Sequence, residues 1–335
     1  MSHTQGETQT QAITSVTQIP GIRSAHVTNS DAGTGVTVII CEQGCTGAVD
    51  VRGGAPATHE TDLLRAEETV DVVHAVVLSG GSSFGLAASS GVADELERRG
   101  YGLDVFYTRV PIVVGASLFD LGCGAADVRP THADGIAVVE AAFANNGKPL
   151  AQGNVGAGTG CTVGKLDPTR AMKSGFGEAV EQVGELICGA VSAVNAVGDV
   201  IDPQTGKAVA GLLSEDRTQV IDSVQYLIES NPAMPLERTN TTISCVITNA
   251  RLTKAQATKV AQMSADAYAH AIRPTHTTND GDTIFVLATG EVEASVDVVG
   301  VLATRVLECA IVNGARSSES AYGFISAHEL EGHTA

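Results

Sequence analysis

The chain has 335 residues, 43% of them hydrophobic, which is enough for a packed core and excludes wholesale disorder. Its formal net charge is −18, from 38 acidic against 20 basic residues, so nucleic acid and anionic membranes are poor partners. No apolar run reaches the ~18 residues that cross a bilayer.

Residues 1–12 form a polar, Thr/Gln-rich stretch without signal-peptide order, so a disordered tail on a cytoplasmic protein is expected. The seven cysteines are odd in number and mostly lie in apolar stretches, where Cys acts as a small hydrophobe. Cys41 and Cys45 could pair or hold a metal, but no second Cys/His pair with zinc spacing accompanies them. No metal or cofactor is expected.

In chain order, Val36–Cys41 and Ala75–Leu78 are β-branched apolar runs suited to buried strands. Gly81-Ser82-Ser83-Phe84-Gly85 then matches G-x-S-x-G between a strand and a helix, where Ser83 could be a nucleophile served by a histidine such as His276. A glycine-rich turn beside a pocket explains the same residues. Leu86–Arg99 has helical spacing and stops at Gly100.

Gly153–Lys165 is rich in glycine, yet Thr159 and Leu166 stand where a Walker A loop needs Gly and Ser/Thr. What it offers is adaptable backbone with free N–H groups and one cation, Lys165. Val191–Val200 reads as a strand broken by Asn195, and Gln219–Glu229 as an amphipathic helix. The two prolines in Ser230–Thr239 make that stretch a loop.

The strand Thr242–Thr248 follows directly on Asn240-Thr241. A Thr hydroxyl can attack the preceding carbonyl, turn the amide into an ester and let water complete a cut. The product is an N-terminal Thr whose α-amine, with a pKa of about 7.7–8, can accept the hydroxyl proton. An ordinary strand start reads the same way. Thr253 can cap a helix to about Ile272, stopped by Pro274. Asn279-Asp280-Gly281-Asp282 is a turn signal that also sets two carboxylates two residues apart, before the strand Thr283–Thr289. Val296–Asn313 is a long apolar helix closed by Gly314. One mixed α/β domain over 13–335 is expected.

Together these motifs resemble the DmpA-type family of self-processing hydrolases. The resemblance runs from Ile19-Pro-Gly-Ile-Arg23 and Val51-Arg-Gly-Gly-Ala-Pro56 through Leu78–Gly85 and Gly153–Lys165. It continues to Asn240-Thr-Thr-Ile-Ser244 and His276–Thr283. The family groups L-aminopeptidase/D-esterases, β-peptidyl aminopeptidases and nylon-oligomer hydrolases, and the motifs lean towards the last.

The resemblance implies a four-layered αββα sandwich of the N-terminal-nucleophile type, cut between Asn240 and Thr241 into fragments 1–240 and 241–335. It implies Thr241 as nucleophile, Asn195 as oxyanion donor, Asp280 and Asp282 holding the Thr241 hydroxyl and amine, and Lys165 tuning that amine. Gly81, Ser82 and Phe119 fall beside the substrate cleft, with Phe119 standing where relatives place a Tyr. Ser83 loses its elbow role. The implied substrate is an amino-terminated peptide or an ω-amino acid oligomer, and the implied assembly is a homotetramer. An ornithine-acetyltransferase-like acyltransferase and an α/β-hydrolase built on Ser83 are the rival readings.

Overall fold

The computed structural model describes residues 13–230 and 240–334. The expected polar tail over 1–12 and most of the proline-containing loop, 231–239, lie outside the described residues.

Nine strands are joined by hydrogen bonds, eight of them along one path. In chain order they are β1 (Ile22–Asn29), β2 (Thr34–Val51), β3 (Thr58–His59), β4 (Val73–Ser79), β5 (Val113–Ser117), β6 (Phe176–Val183), β7 (Leu186–Asn195), β8 (Thr241–Ala250) and β9 (Thr283–Val292). Their spatial order is β6-β7-β8-β9-β2-β4-β5-β3, with β1 also paired to β2. The 18-residue β2 belongs to both halves: Val36–Ile40 pairs with β4, whereas Thr46–Val51 pairs with β9. Between those stretches the register with β4 shifts, and Gly44 takes φ +75°, a conformation glycine adopts without penalty. The bend lets the two halves of the path pack face to face.

Three separate apolar clusters show four layers. Helices α1 (Ala87–Arg98) and α2 (His132–Ala144) cover one sheet, meeting Val36, Val38, Ala75, Val77 and Val113. Between the sheets lie Ile39, Val76, Leu78, Val114, Val191, Ile243, Cys245 and Phe285. Behind the second sheet lie Val194, Val246, Ile284 and Val286. They meet helices α4 (Lys254–Ser264), α5 (Asp266–Ala271) and α6 (Val296–Arg316), all downstream of the short α3 (Ser223–Ser230). Period-2 alternation along β4 and β8 sends successive side chains to different interlayer spaces, which is why every residue of both strands is buried. The αββα sandwich expected from the resemblance is what the structure has.

Several boundaries differ from expectation for local reasons. The helix expected from Gln219 starts at Ser223, whose N–H and hydroxyl are taken by the Asp199 carboxylate at 2.8 and 2.6 Å. The strand expected over Val191–Val200 is β7, beginning at Leu186 and ending on Asn195. Gly314 does not stop α6 but lies inside it, where a β-carbon would come 2.9 Å from the Gly175 carbonyl; it permits close helix–sheet approach. By length and apolar composition α6 could span a bilayer, but eleven of its 21 residues are buried against the sheet and its neighbours.

Candidate active site

β8 lies between β7, antiparallel to it, and β9, parallel to it. This places Asn195, the last residue of β7, directly opposite Thr241, the first residue of β8. The turn before β9 closes the other side: Asn240 bridges Asp280, and the Gly281 N–H donates to the Asn240 carbonyl at 3.0 Å. The Thr241 hydroxyl donates to that same oxygen. A β-carbon on Gly281 would lie 2.7 Å from Thr241 Oγ1, so the glycine of Asp-Gly-Asp leaves room for the hydroxyl.

The Asp280–Asp282 turn is itself clamped. Arg52 and Gly53 donate their N–H groups to the Asp282 carbonyl at 3.0 and 3.3 Å, and Ala55 donates to the Asp280 carbonyl at 2.8 Å. A side chain on Gly53 would collide with the Asp280 carbonyl. The Arg52-Gly-Gly-Ala segment thus serves the site through its backbone.

Both carboxylates are buried. Asp282 Oδ1 accepts the Thr242 N–H at 2.8 Å, while its Oδ2 accepts Thr275 Oγ1 at 3.1 Å and His276 Nδ1 at 2.9 Å. Asp280 Oδ2 accepts the Thr277 N–H at 2.5 Å, and its Oδ1 has no hydrogen-bond partner among the described residues. Burial, followed by the charge of Asp282, pushes the Asp280 carboxyl up to about 6, against an opposing pull from Thr277 and Lys165.

Asn195 is the junction of the site. Its Oδ1 accepts Lys165 Nζ at 2.7 Å and the Thr162 N–H at 3.0 Å, and its Nδ2 donates to the Phe119 carbonyl at 2.8 Å. Lys165 is held at its backbone by Val197, to which its N–H donates at 2.9 Å. Burial lowers its amine to about 8, with Cys161, Cys123, Asp280 and Asp120 acting in the opposite sense. Beyond Lys165 opens a mainly apolar cavity of about 310 Å³, lined by Phe119, Leu121, Cys123, Lys165, Pro168 and Phe324 among others. Thr162 and Lys165, both bonded to Asn195, connect this cavity to Thr241.

Thr241, Asn195, Lys165, Asp280, Asp282 and Phe119 are therefore together. Gly81 and Ser82 stand one step back: the Gly81 N–H donates to Asp120 Oδ1 at 2.6 Å, and the Ser82 N–H to the Leu118 carbonyl at 2.8 Å. Asp120 also accepts Thr34 Oγ1 at 2.7 Å, and it lines the cavity. Burial raises its carboxyl above the ordinary range. The histidine a Ser83 triad would require is committed to Asp282.

Sequence reasoning missed Asp120, the Arg52–Ala55 clamp and Tyr268. Tyr268 is fully buried, and its hydroxyl meets Ser244 Oγ at 2.8 Å and donates to the Thr242 carbonyl at 3.1 Å. A tyrosine on the apolar face of a helix, needing a buried partner for its hydroxyl, was the available signal.

Residues 14–328 match the model of peptidase family S58. The chain is 41% identical over 296 residues to an uncharacterized aminopeptidase of Mycobacterium leprae (strain TN), covering 84% of this chain and 80% of the relative. It is 32% identical over 280 residues to a 6-aminohexanoate-oligomer endohydrolase of Paenarthrobacter ureafaciens, covering 82% and 74%. Among solved structures it resembles the L-aminopeptidase D-Ala-esterase/amidase of Ochrobactrum anthropi, described as a variant of the Ntn hydrolase fold. That match has a TM-score of 0.67 at 17% identity, over 96% and 94% of the two chains. A Burkholderia sp. β-aminopeptidase matches with a TM-score of 0.66 at 19% identity, over 95% and 92%.

Proposed function

The chain belongs to peptidase family S58 and is a peptide- or amide-bond hydrolase; from that premise we propose that it cuts itself before Thr241 and then uses Thr241 as its nucleophile. The observation that carries this reading is the Thr241 hydroxyl lying against the Asn240 carbonyl while the Gly281 N–H donates to the same oxygen.

In the uncut chain Thr241 Oγ adds to the Asn240 carbonyl carbon. The Asn240–Thr241 C–N bond breaks, the nitrogen takes a proton and leaves as an amine, and an ester remains. Water then hydrolyses the ester to an Asn240 carboxyl and a free Thr241. The α-amine does not exist before the cut, so another base must take the hydroxyl proton. Asp280 is suited to this: its Oδ1 is buried and unbonded, and a carboxyl at about 6 is ionised yet basic at neutral pH.

In turnover the new α-amine takes the hydroxyl proton as Thr241 attacks a substrate carbonyl. Asn195 Nδ2 donates to the developing oxyanion, an interaction worth about 3–4 kcal/mol of barrier. Asp280 favours the protonated amine and Lys165 opposes it, so the pair brackets the amine's basicity. The apolar cavity beyond Lys165 receives the acyl part of an amino-terminated peptide or an ω-amino acid oligomer. Denaturing mass spectrometry of the purified protein tests the first step. Fragments 1–240 and 241–335 are expected, and an intact 34.2 kDa chain that still hydrolyses amides refutes it.

A further inference from the structure

His276 sits in the site without a part in the steps above. Its backbone takes φ +56°, a left-handed conformation unusual for a residue with a β-carbon. Its side chain is only 18% exposed. The ring stacks on Tyr268, with centroids 5.3 Å apart and planes 21° from parallel.

Its bonds converge on one atom. Both its backbone N–H, at 3.1 Å, and its Nδ1, at 2.9 Å, reach Asp282 Oδ2. Because a carboxylate oxygen accepts, Nδ1 carries the proton. Nε2 is buried and finds no hydrogen-bond partner among the described residues. The ring is therefore placed for what Nδ1 and the stacking face do.

Thr242 is gripped at both ends of its backbone by the two groups His276 touches. Its N–H goes to Asp282 Oδ1 at 2.8 Å, and its carbonyl receives the Tyr268 hydroxyl at 3.1 Å. Thr241 is the residue before. We propose that His276 is a positioning residue for Thr241, acting through Asp282: the Nδ1–H···Oδ2 bond fixes the carboxylate whose other oxygen sets the start of β8. The proposal rests on Thr241 being the nucleophile.

The test compares His276→Ala, His276→Asn and His276→Gln with Thr241→Ala in the full chain. Self-cleavage is followed by denaturing mass spectrometry, and kcat and KM are measured on an aminoacyl p-nitroanilide. Asn places a donor where Nδ1 stands and tolerates left-handed backbone, whereas the Gln amide reaches towards the Nε2 position. His276→Ala should slow self-cleavage and lower kcat by about 10–100-fold with KM little changed, the scale set by ångström misplacement of a reacting group. His276→Asn should recover to within about 3-fold of wild type, the remainder reflecting lost stacking, and His276→Gln should stay with Ala.

Equal recovery by Asn and Gln, or a wild-type kcat in His276→Ala, overturns the proposal. Should the Ala variant not fold, the Asn/Gln comparison decides alone. If Thr241→Ala is still cut or still active, the nucleophile reading has failed and takes this proposal with it. If Thr241→Ala is uncut and inactive while Asn and Gln behave alike, only the role of His276 falls.

Discussion

Asn195 faces Thr241 across the antiparallel pair of β7 and β8, each at the terminus of its strand. Strand pairing thus sets the distance between Thr241, the proposed nucleophile, and the side chain that gathers Lys165, Thr162 and Phe119. Asn195→Ala is expected to cut kcat by about 10²–10³-fold, the usual loss for one oxyanion donor, with a smaller change in KM. Steady-state kinetics on a single amide substrate checks this, and an unchanged kcat would remove Asn195 from the oxyanion hole.

Thr241→Ala should leave one uncut chain without amidase activity. Thr241→Ser keeps a hydroxyl and should keep both self-cleavage and turnover, at altered rates. Mass spectrometry and activity, measured on the same sample, separate the two variants.

Gly281→Ala introduces a methyl group 2.7 Å from Thr241 Oγ1 and 3.2 Å from the Ala55 carbonyl. The Thr241 hydroxyl must shift, and the Ala55 carbonyl must give by a few tenths of an ångström. Self-cleavage should slow by about 10²-fold, following the sensitivity of reacting groups to displacement. A time course of the freshly synthesised chain reads this directly.

The rate of self-cleavage should rise with pH through about 6, because Asp280 must be ionised to take the Thr241 hydroxyl proton in the uncut chain; a cleavage rate flat across that range removes Asp280 as the base. Stability runs the other way for the acid. Its folded value of about 6 exceeds the ordinary 3.8, so the native state holds the extra proton between these values. The Asp280 contribution to stability therefore drops as pH climbs from about 4 to about 6 and stays low above that. Asp280→Asn should melt higher than wild type at pH 7 while losing activity, which calorimetry beside an activity assay tests.

Asp120→Ala would strand the Gly81 N–H and the Thr34 hydroxyl, two buried donors 2.6 and 2.7 Å from its oxygens. A loss of about 2–3 kcal/mol of stability is expected, with Asp120→Asn losing less because its amide can meet both groups. Urea midpoints rank the three proteins.

The sequence carried β4, β8, β9 and α6 plainly, since each buries an apolar pattern long enough to stand out. Strands β1 and β6 were not visible in it: β1 has polar residues among its eight, and the far end of β6 runs out to the exposed Val183. The residues of the candidate site were named in order by the resemblance, from Lys165 through Asn195 and Thr241 to Asp282, and the fold brings them together. What local pattern could not show was contact between distant segments. The Arg52–Ala55 backbone reaches the Asp280 turn across more than two hundred residues, and His276 suggested a partner for Ser83 when its true partner is Asp282 six residues on.

The cut proposed before Thr241 falls at the very start of a strand that is paired on both sides. β7, contributed by the upstream fragment, and β9, in the same fragment as β8, keep β8 in register whether or not the peptide bond is intact. Maturation would then turn one chain into two interleaved ones without loosening the sheet, but it would erase the covalent memory of how they met. An uncut variant can refold as one molecule, at a rate indifferent to dilution. The processed protein must first find its other half, so each denaturation becomes a second-order search, and the mature form is built to be assembled once.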